Sequence, residues 1–175
     1  MRKLDLIEYK WNDGQWSFKD SEMLWCYDHI VLRQDTFYNT RDEWRDDPRW
    51  NPIMYWRKCK TYVGFVEGTP TGMIWLSAYN IPNKSGFLNF TYFDLDNVTM
   101  YEKIGLALNG IRQVFDLANI DTMYAETSVC RKAAITMAKY IGFQELGTIP
   151  LAHYHIDEDK FYDTVFMYLK LDMLR

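Results

Sequence analysis

The sequence predicts an α+β fold, with a mixed, mainly antiparallel central sheet of about six to seven strands flanked by helices. Two observations lead to this prediction. Three strand-like segments separated by short turns lie between residues 61 and 93, and helical and strand-like patterns alternate after them. The chain has 175 residues, 48% of them apolar, and no linker or repeat. It is therefore expected to form a single domain, 1–175.

The first elements are a strand and a helix. Leu4–Trp11 has the apolar spacing of a strand and ends at Asn12-Asp13-Gly14, residue types that are typical of a turn. Asp20-Ser21 then offers an N-cap, and apolar residues follow it at helical spacing. A first helix is expected there.

A second, shorter helix is predicted next. Thr40 and Glu43 form a capping box, and Pro48 is expected to end the acidic helix that the box opens. The segment 48–60 is rich in aromatic residues and is predicted to be a loop.

The middle of the chain predicts a three-stranded meander. Residues 61–67 and 72–81 form two strands around the turn 68–71, and together they make a hairpin. After a second turn at 82–86, residues 87–93 form a third antiparallel strand.

A long helix and three more strands complete the prediction. The helix covers about residues 99–118, because its apolar residues recur on one stripe at a spacing of 3.6. A strand at 121–127 precedes a helix at 131–140, which Gly142 ends as a C-cap. The last two strands, 151–156 and 162–171, flank an acidic turn.

Charge and cysteine content exclude several classes of protein. The formal net charge is −4 and both signs are interleaved, so nucleic acid is not an expected partner. Cys26, Cys59 and Cys130 form no C-x-x-C pair, which indicates a reducing compartment. The sequence shows neither a signal peptide nor an 18-residue apolar run. A cytoplasmic protein without a membrane partner is expected.

The segment Ile104–Leu108 and the segment Arg131–Phe143 resemble two motifs of the GNAT superfamily of acetyl-CoA-dependent N-acyltransferases. The first is Ile104-Gly105-Leu106-Ala107-Leu108, which is similar to the end of that family's acetyl-CoA signature, Q/R-x-x-G-x-G/A. The signature is degenerate here: in one register Lys103 replaces the first glycine and Met100 the Gln or Arg, and in the other Glu102 takes the Gln or Arg position. Lys103 would partly compensate, since an ammonium near a diphosphate is favourable.

The second segment runs from Arg131-Lys132-Ala133-Ala134 to Gly142-Phe143, and it resembles the family's N-x-x-A/S…Y-x-x-L/I-G-F pattern. In the family this helix lies beside the pantetheine arm of the cofactor. Arg131 replaces the usual Asn, and Ala138 replaces a Tyr that protonates the leaving thiolate in many members. Tyr140 is two residues away and faces elsewhere on a helix, since two residues rotate by about 200°.

The resemblance implies an acetyl transfer from acetyl-CoA, used as a substrate without a metal, to an amine-bearing acceptor. The site residues that it implies are as follows: Asp94 and Glu126 as catalytic carboxylates, and Leu95, Asp96, Lys103, Ile104, Gly105, Leu106 and Arg131 at the cofactor. Asp94 would be the base or orient the amine, and the Leu95–Asp96 backbone would meet the thioester carbonyl.

Three further features stay open. His153-x-His155 places two imidazoles on one strand face, where a structural role is favoured over a metal site. Ser128 and Cys130 lack the local signature of a nucleophile. The aromatic cluster Trp44, Trp50, Tyr55 and Trp56 is compatible with an acceptor pocket, a protein-binding face or a cap on the core.

An alternative function follows from the departures at Met100, Lys103 and Ala138. The protein would then be a catalytically inactive GNAT-fold binding or structural accessory protein that uses its aromatic surface between Trp44 and Trp56 to contact a protein partner. A V-shaped opening between the fourth and fifth strands, with free N–H groups above Gly105, favours the enzyme, and side chains that fill this opening favour the accessory protein. A monomer or a homodimer agrees equally with the sequence.

Overall fold

A computed structural model describes residues 2–32, 51–92, 98–155 and 158–174 of the chain. Its helices and strands alternate in an order close to the predicted one. In chain order they are β1 (Leu4–Glu8), β2 (Trp11–Asn12), β3 (Gln15–Trp16), α1 (Asp20–Leu32), α2 (Pro52–Trp56), β4 (Lys60–Val66), β5 (Thr69–Asn80), β6 (Ser85–Tyr92), α3 (Met100–Ala118), β7 (Thr122–Ser128), α4 (Lys132–Ile141), β8 (Gln144–His155) and β9 (Lys160–Lys170), followed by a 3₁₀ turn (Leu171–Met173).

Seven strands form one mixed sheet, in the order β1-β4-β5-β6-β7-β9-β8. Neighbouring strands are antiparallel except β6 and β7, which are parallel. The connection between these two strands contains α3, as a parallel crossover requires. The predicted fold class, α+β with a mainly antiparallel sheet of six to seven strands, is confirmed.

The N-terminal strand is shorter than predicted. β1 ends at Glu8, and the remainder of the predicted strand Leu4–Trp11 turns into a separate hairpin of β2 and β3. The tip of this hairpin is Asp13-Gly14, with φ angles of 47° and 85°. These left-handed values match the two-residue turn that joins hairpin strands, so the turn expected at residues 12–14 forms, but it joins two new strands.

The predicted aromatic loop contains a helix, so that prediction was wrong for residues 52–56. Asn51 caps α2, because its side-chain oxygen accepts hydrogen bonds from the amides of Ile53 (2.9 Å) and Met54 (3.3 Å). Pro52 stands at the first helical position, where a missing amide hydrogen costs nothing. The helix that was predicted to start at Thr40 lies outside the described residues.

The long helix and the one after it form close to their predicted bounds. α3 begins after Thr99 and α4 ends at Gly142, whose φ of 116° is left-handed. β8 differs from the prediction: it starts at Gln144 rather than residue 151, and its pairing with β9 shifts in register near Gly147 and again between Ile149 and His153. These register shifts interrupt the alternation of apolar and polar residues from which a strand is predicted.

Helices cover both faces of the sheet, and each face has its own core. α3 and α4 pack on one face, here called the α3/α4 side, whose buried residues include Leu76, Leu88, Ile111, Phe115, Met123, Ala138, Ile141 and Met167. α1 and α2 pack on the other face, here called the α1/α2 side, whose buried residues are Tyr9, Met23, Cys26, Ile53, Trp56, Val63, Met73 and Trp75.

Of the helices in the described part of the chain, none is long and apolar enough to cross a membrane.

Candidate functional site

A cleft opens where the two parallel strands separate. β6 and β7 pair at only three positions, Ser85–Phe87 with Thr122–Tyr124. Beyond them β6 continues along β5 and β7 continues along β9, and the gap between the strands becomes a cavity of about 730 Å³. Its walls come from β6, β7, α4 and the β8–β9 hairpin. Residues of α2 and β5 also line it, on the α1/α2 side. The cleft is therefore lined by residues from both faces of the sheet.

Strand alternation assigns the lining residues to the two sides. Glu126 lies opposite Phe166 in the β7–β9 pair, and the Phe166 ring contacts Phe87 at a centroid distance of 6.1 Å. Phe87 lies opposite Ser77, two residues from Trp75 in the core of the α1/α2 side. Because residues two apart on a strand share a face, Glu126 belongs to the α1/α2 side.

Glu126 is the predicted carboxylate that the structure brings to the cleft. Its side chain is accessible from the cleft, and partial burial by the walls raises the pKa of its carboxyl above the ordinary value. Among the described residues, no hydrogen bond or ion pair reaches this carboxylate. A carboxylate with a raised pKa in a cleft has the properties of a general base.

Polar groups on the same side form a network that the sequence did not predict. Asn89 donates to the Ser77 hydroxyl (3.1 Å) and to the Phe87 carbonyl (3.3 Å). Burial raises the pKa of Tyr55, and hydrogen bonds with Trp75 and Ser77 lower it in part. The Tyr55 phenol therefore joins α2 to the strands of the cleft.

Small residues line the opposite side. Ala134 and Ala138 on α4 face the cleft, and so does Arg131, which precedes the helix. Ala138 stands where the resembled family has a tyrosine, and it leaves space there. Tyr140 is 71% exposed and does not line the cleft, as its position on the helix predicted.

The side chains of Thr99 and Glu102 cap the N-terminus of α3. Thr99 accepts a hydrogen bond from the Glu102 amide (3.3 Å), and the Glu102 carboxylate accepts bonds from the Thr99 amide and hydroxyl (2.9 Å each). These bonds lower the pKa of the Glu102 carboxyl, the backbone bond most. The acid is thus held in its ionised form beside the first turn.

The predicted cofactor residues Lys103, Ile104, Gly105 and Leu106 lie inside α3 rather than before it. The Lys103 amide donates to the Thr99 carbonyl (3.0 Å), and the Lys103 carbonyl accepts from the Tyr92 hydroxyl (2.5 Å). Leu106 is buried in the core. Only the first-turn amides lack intrahelical acceptors. Their role at a cofactor stays a prediction.

Several predicted residues lie outside the described ranges: Asp94, Leu95, Asp96, Trp44 and Trp50. Trp56 is buried in the core of the α1/α2 side, and Tyr55 lines the cleft. The described part of the aromatic cluster is therefore core and cleft wall.

The remaining sequence features have structural roles or partners. The Ser128 hydroxyl and the Cys130 thiol form a hydrogen bond (3.1 Å), and all three cysteines are free thiols. His155 lies 3.6 Å from the Glu158 carboxylate. Within the described residues, no group of three or more His, Cys, Asp or Glu side chains is arranged to hold a metal.

Solved structures with the same fold are acetyltransferases, although sequence comparison finds no relative. No family model matches the chain, and neither does any curated protein sequence. The spermidine N-acetyltransferase from Vibrio cholerae in complex with CoA and spermine superposes with a TM-score of 0.69, at 13% identity, over 98% of this chain and 98% of that chain.

Two other acetyltransferase structures superpose on the chain to a similar extent. A putative acetyltransferase from Acinetobacter baylyi gives a TM-score of 0.65 at 14% identity, over 99% of this chain and 96% of its own. The ribosomal-protein-S5-alanine acetyltransferase from Vibrio fischeri gives 0.65 at 11% identity, over 100% of this chain and 97% of its own. The chain has the GNAT acetyltransferase fold.

Proposed function

We propose that this protein is an acetyl-CoA-dependent N-acetyltransferase that acts on an amine. One observation carries the proposal: a cleft lined from both faces of the sheet, with small residues and Arg131 on the α3/α4 side and a carboxylate, Glu126, on the α1/α2 side. Arg131 suits the anionic phosphates of acetyl-CoA, and Glu126 suits a cationic amine. Approach from opposite sides brings the amine nitrogen in line with the thioester carbonyl.

The residues of the α3/α4 side fit the pantetheine arm of acetyl-CoA. Ala134 and Ala138 leave a narrow apolar space beside α4, and Arg131 offers a guanidinium at its end. The fit at the diphosphate is poorer, because the Glu102 carboxylate lies at the start of α3 and the Lys103 amide is already bonded. We expect Arg131, the Lys103 side chain and the first-turn amides to bind the diphosphate together.

Glu126 supplies the base. It removes a proton from the ammonium, directly or through water, and the free amine attacks the thioester carbonyl. The C–N bond forms and the C–S bond breaks, its electron pair leaving on sulfur, and the second proton on the nitrogen passes to water. With Ala138 in place of tyrosine, the thiolate takes its proton from water. Asp94 and the Leu95–Asp96 backbone remain the predicted second carboxylate and carbonyl ligand.

The accessory-protein alternative gains no support from the cleft. Side chains that filled the opening between the fourth and fifth strands of the sheet, β6 and β7, would favour that alternative. The described side chains leave about 730 Å³ there. Met100 is 54% exposed at the start of α3 and does not line the cleft.

Calorimetric titration with acetyl-CoA and with CoA tests the proposal. Acetyl-CoA is expected to bind and to raise the melting temperature, because a ligand of the native state stabilises it. An absence of both heat and thermal shift at millimolar ligand would contradict the proposal.

The pH profile tests the role of Glu126. We expect kcat/KM to rise with pH as its carboxyl ionises, at a pKa above that of an ordinary glutamate. Glu126→Gln should lose this rise and fall about 100-fold in kcat/KM.

The same raised pKa of the Glu126 carboxyl disfavours its ionised form in the folded protein. The stability that the protonated carboxyl contributes is therefore lost as pH rises through the folded pKa, and Glu126→Gln should not lower the melting temperature at pH 7.

A further inference from the structure

Rings surround the carboxylate on the α1/α2 side of the cleft. Tyr55 from α2, Trp75 from β5 and Phe166 from β9 all line the cavity that contains Glu126. Trp75 is fixed by its edge contact with Trp56, at a centroid distance of 6.3 Å, and is almost fully buried. Tyr55 and Phe166 are half-buried, so their rings have surface that a molecule in the cleft can contact.

The α1/α2 side of the cleft, as far as the structure describes it, carries one acidic side chain, that of Glu126. Among the cleft-lining residues that the structure describes, Glu126 is the only acid and Arg131 the only Lys or Arg, and Arg131 belongs to the other side. One carboxylate neutralises one ammonium. A second or third ammonium group would be desolvated without a matching acid on these walls, which is costly.

Three polar side chains on the α1/α2 side of the cleft, Tyr55, Ser77 and Asn89, are engaged with one another or with the strands. The Asn89 amide is bonded to Ser77 and to the Phe87 carbonyl, and the Tyr55 phenol interacts with Ser77 and Trp75. An acceptor rich in hydroxyl groups, such as an amino sugar, would find the Asn89 amide hydrogens occupied, although the buried Thr91 hydroxyl on this wall has no partner among the described residues. The wall favours apolar, flat groups over polyhydroxylated ones.

We propose that the acceptor is a primary amine with one positive charge, carried on an aromatic body such as that of an arylalkylamine. The proposal rests on the proposed function, since it assigns the substrate class of the same cleft. The ammonium pairs with Glu126, and the ring packs against Phe166 and Tyr55. Ring packing and cation–π attraction both act at such a wall.

Binding of 2-phenylethylamine in the presence of CoA tests the inference, because the reaction cannot proceed. We expect 2-phenylethylamine to bind at least tenfold more tightly than spermidine, and tenfold more tightly than 2-phenylethanol, which lacks the charge. Glu126→Gln should remove the preference for the amine over the alcohol. Glu145→Gln, which makes the same change on exposed β8 outside the cleft, should leave it intact.

A second variant separates the ring contact from the charge. Phe166→Leu keeps an apolar side chain but removes the ring, and we expect it to weaken 2-phenylethylamine about fivefold while spermidine changes less than twofold. Equal losses for both ligands would contradict the role of the ring.

Other outcomes distinguish the two proposals. Tighter binding of spermidine overturns the acceptor class, as does acetyl-CoA binding without any binding of 2-phenylethylamine; both outcomes leave the transferase proposal in place. If 2-phenylethylamine binds and acetyl-CoA does not, the aromatic amine site stands and the transferase fails.

Discussion

The two helices beside the cleft begin in opposite ways. α3 begins at a complete capping box, in which Thr99 and Glu102 bond each other's backbone amides. α4 begins at Arg131, whose φ and ψ of −90° and 61° belong to no regular conformation and whose side chain makes no cap. The first helix thus places an anion at its N-terminus, and the second places a cation near the cleft.

This difference separates helix stability from anion binding. An acid at an N-terminus stabilises the helix through its dipole and through hydrogen bonds, but it repels a bound phosphate. An uncapped start gives up that stability and leaves positive potential in place. In this protein α3 has the stabilised N-terminus and α4 the electropositive one. Substitutions at each N-terminus can therefore distinguish which helix binds the cofactor.

The largest effect is expected from filling the space beside α4. Ala134→Trp places an indole in the cleft, and we expect acetyl-CoA affinity to fall about 100-fold or more. Its neighbour Ala133 is exposed and does not line the cleft, so Ala133→Trp is the matched control and should bind normally. Calorimetry on both variants checks this, and equal affinities would place the cofactor elsewhere.

Removing the cation at α4 is expected to have the next largest effect. Arg131→Gln should weaken acetyl-CoA about tenfold, since a charge-assisted hydrogen bond is lost. The loss should shrink as salt is raised. Lys132→Gln removes the same charge at an exposed position one residue away and should cost less than twofold. Similar losses for the two variants would indicate a diffuse charge effect rather than a contact.

Removing the acid at α3 is expected to improve binding. Glu102→Gln keeps a residue that can complete a capping box but deletes the charge, and acetyl-CoA should bind about fivefold more tightly at low salt. Asp116→Asn makes the same change near the far end of the helix and is the control. Unchanged binding in Glu102→Gln would show that the diphosphate does not approach the start of α3.

The smallest effect concerns stability alone. Thr99→Ala removes the cap of α3 and should lower the free energy of unfolding by about 1 kcal/mol, a fall of about 2–4 °C in melting temperature. The pKa of Glu102 should rise only part of the way towards its ordinary value, because the bond from the Thr99 hydroxyl is lost while the bond from the Thr99 backbone amide, which lowers the pKa most, remains. Thermal denaturation and a carboxyl titration by NMR check the two parts. A Glu102 pKa that does not move would contradict the capping box.

The sequence predicted elements whose signals are local. The hairpin of β4 and β5, the stripe of α3 and the left-handed end of α4 at Gly142 each depend on residues close in the chain, and each formed. α2 was missed because its aromatic residues concealed the cap at Asn51 and the proline after it. β8 was predicted too short because its register shifts interrupt the alternation.

Some of the residues that line the cleft were named from the sequence. Glu126 and Arg131, which the sequence named as site residues, line the cleft, and their roles stay predictions. Tyr55 was named in an aromatic cluster for which an acceptor pocket was one of three possibilities, whereas Ser77 and Asn89 were not named. Their signal is long-range: the 3.1 Å bond between Asn89 and Ser77 joins two strands whose register no short pattern contains. The placement of Lys103 inside α3 also depends on where the helix begins, which the capping box decides.

The sequence by itself determined the local conformation: turns at residues that accept positive φ, helix caps formed by side chains three residues apart, and apolar spacings that select helix or strand. Only the tertiary structure decided where the cleft lies. It forms because residues 85–87 pair with residues 122–124 and the two strands then leave each other for other partners. That separation depends on contacts between distant parts of the chain, which no local preference encodes.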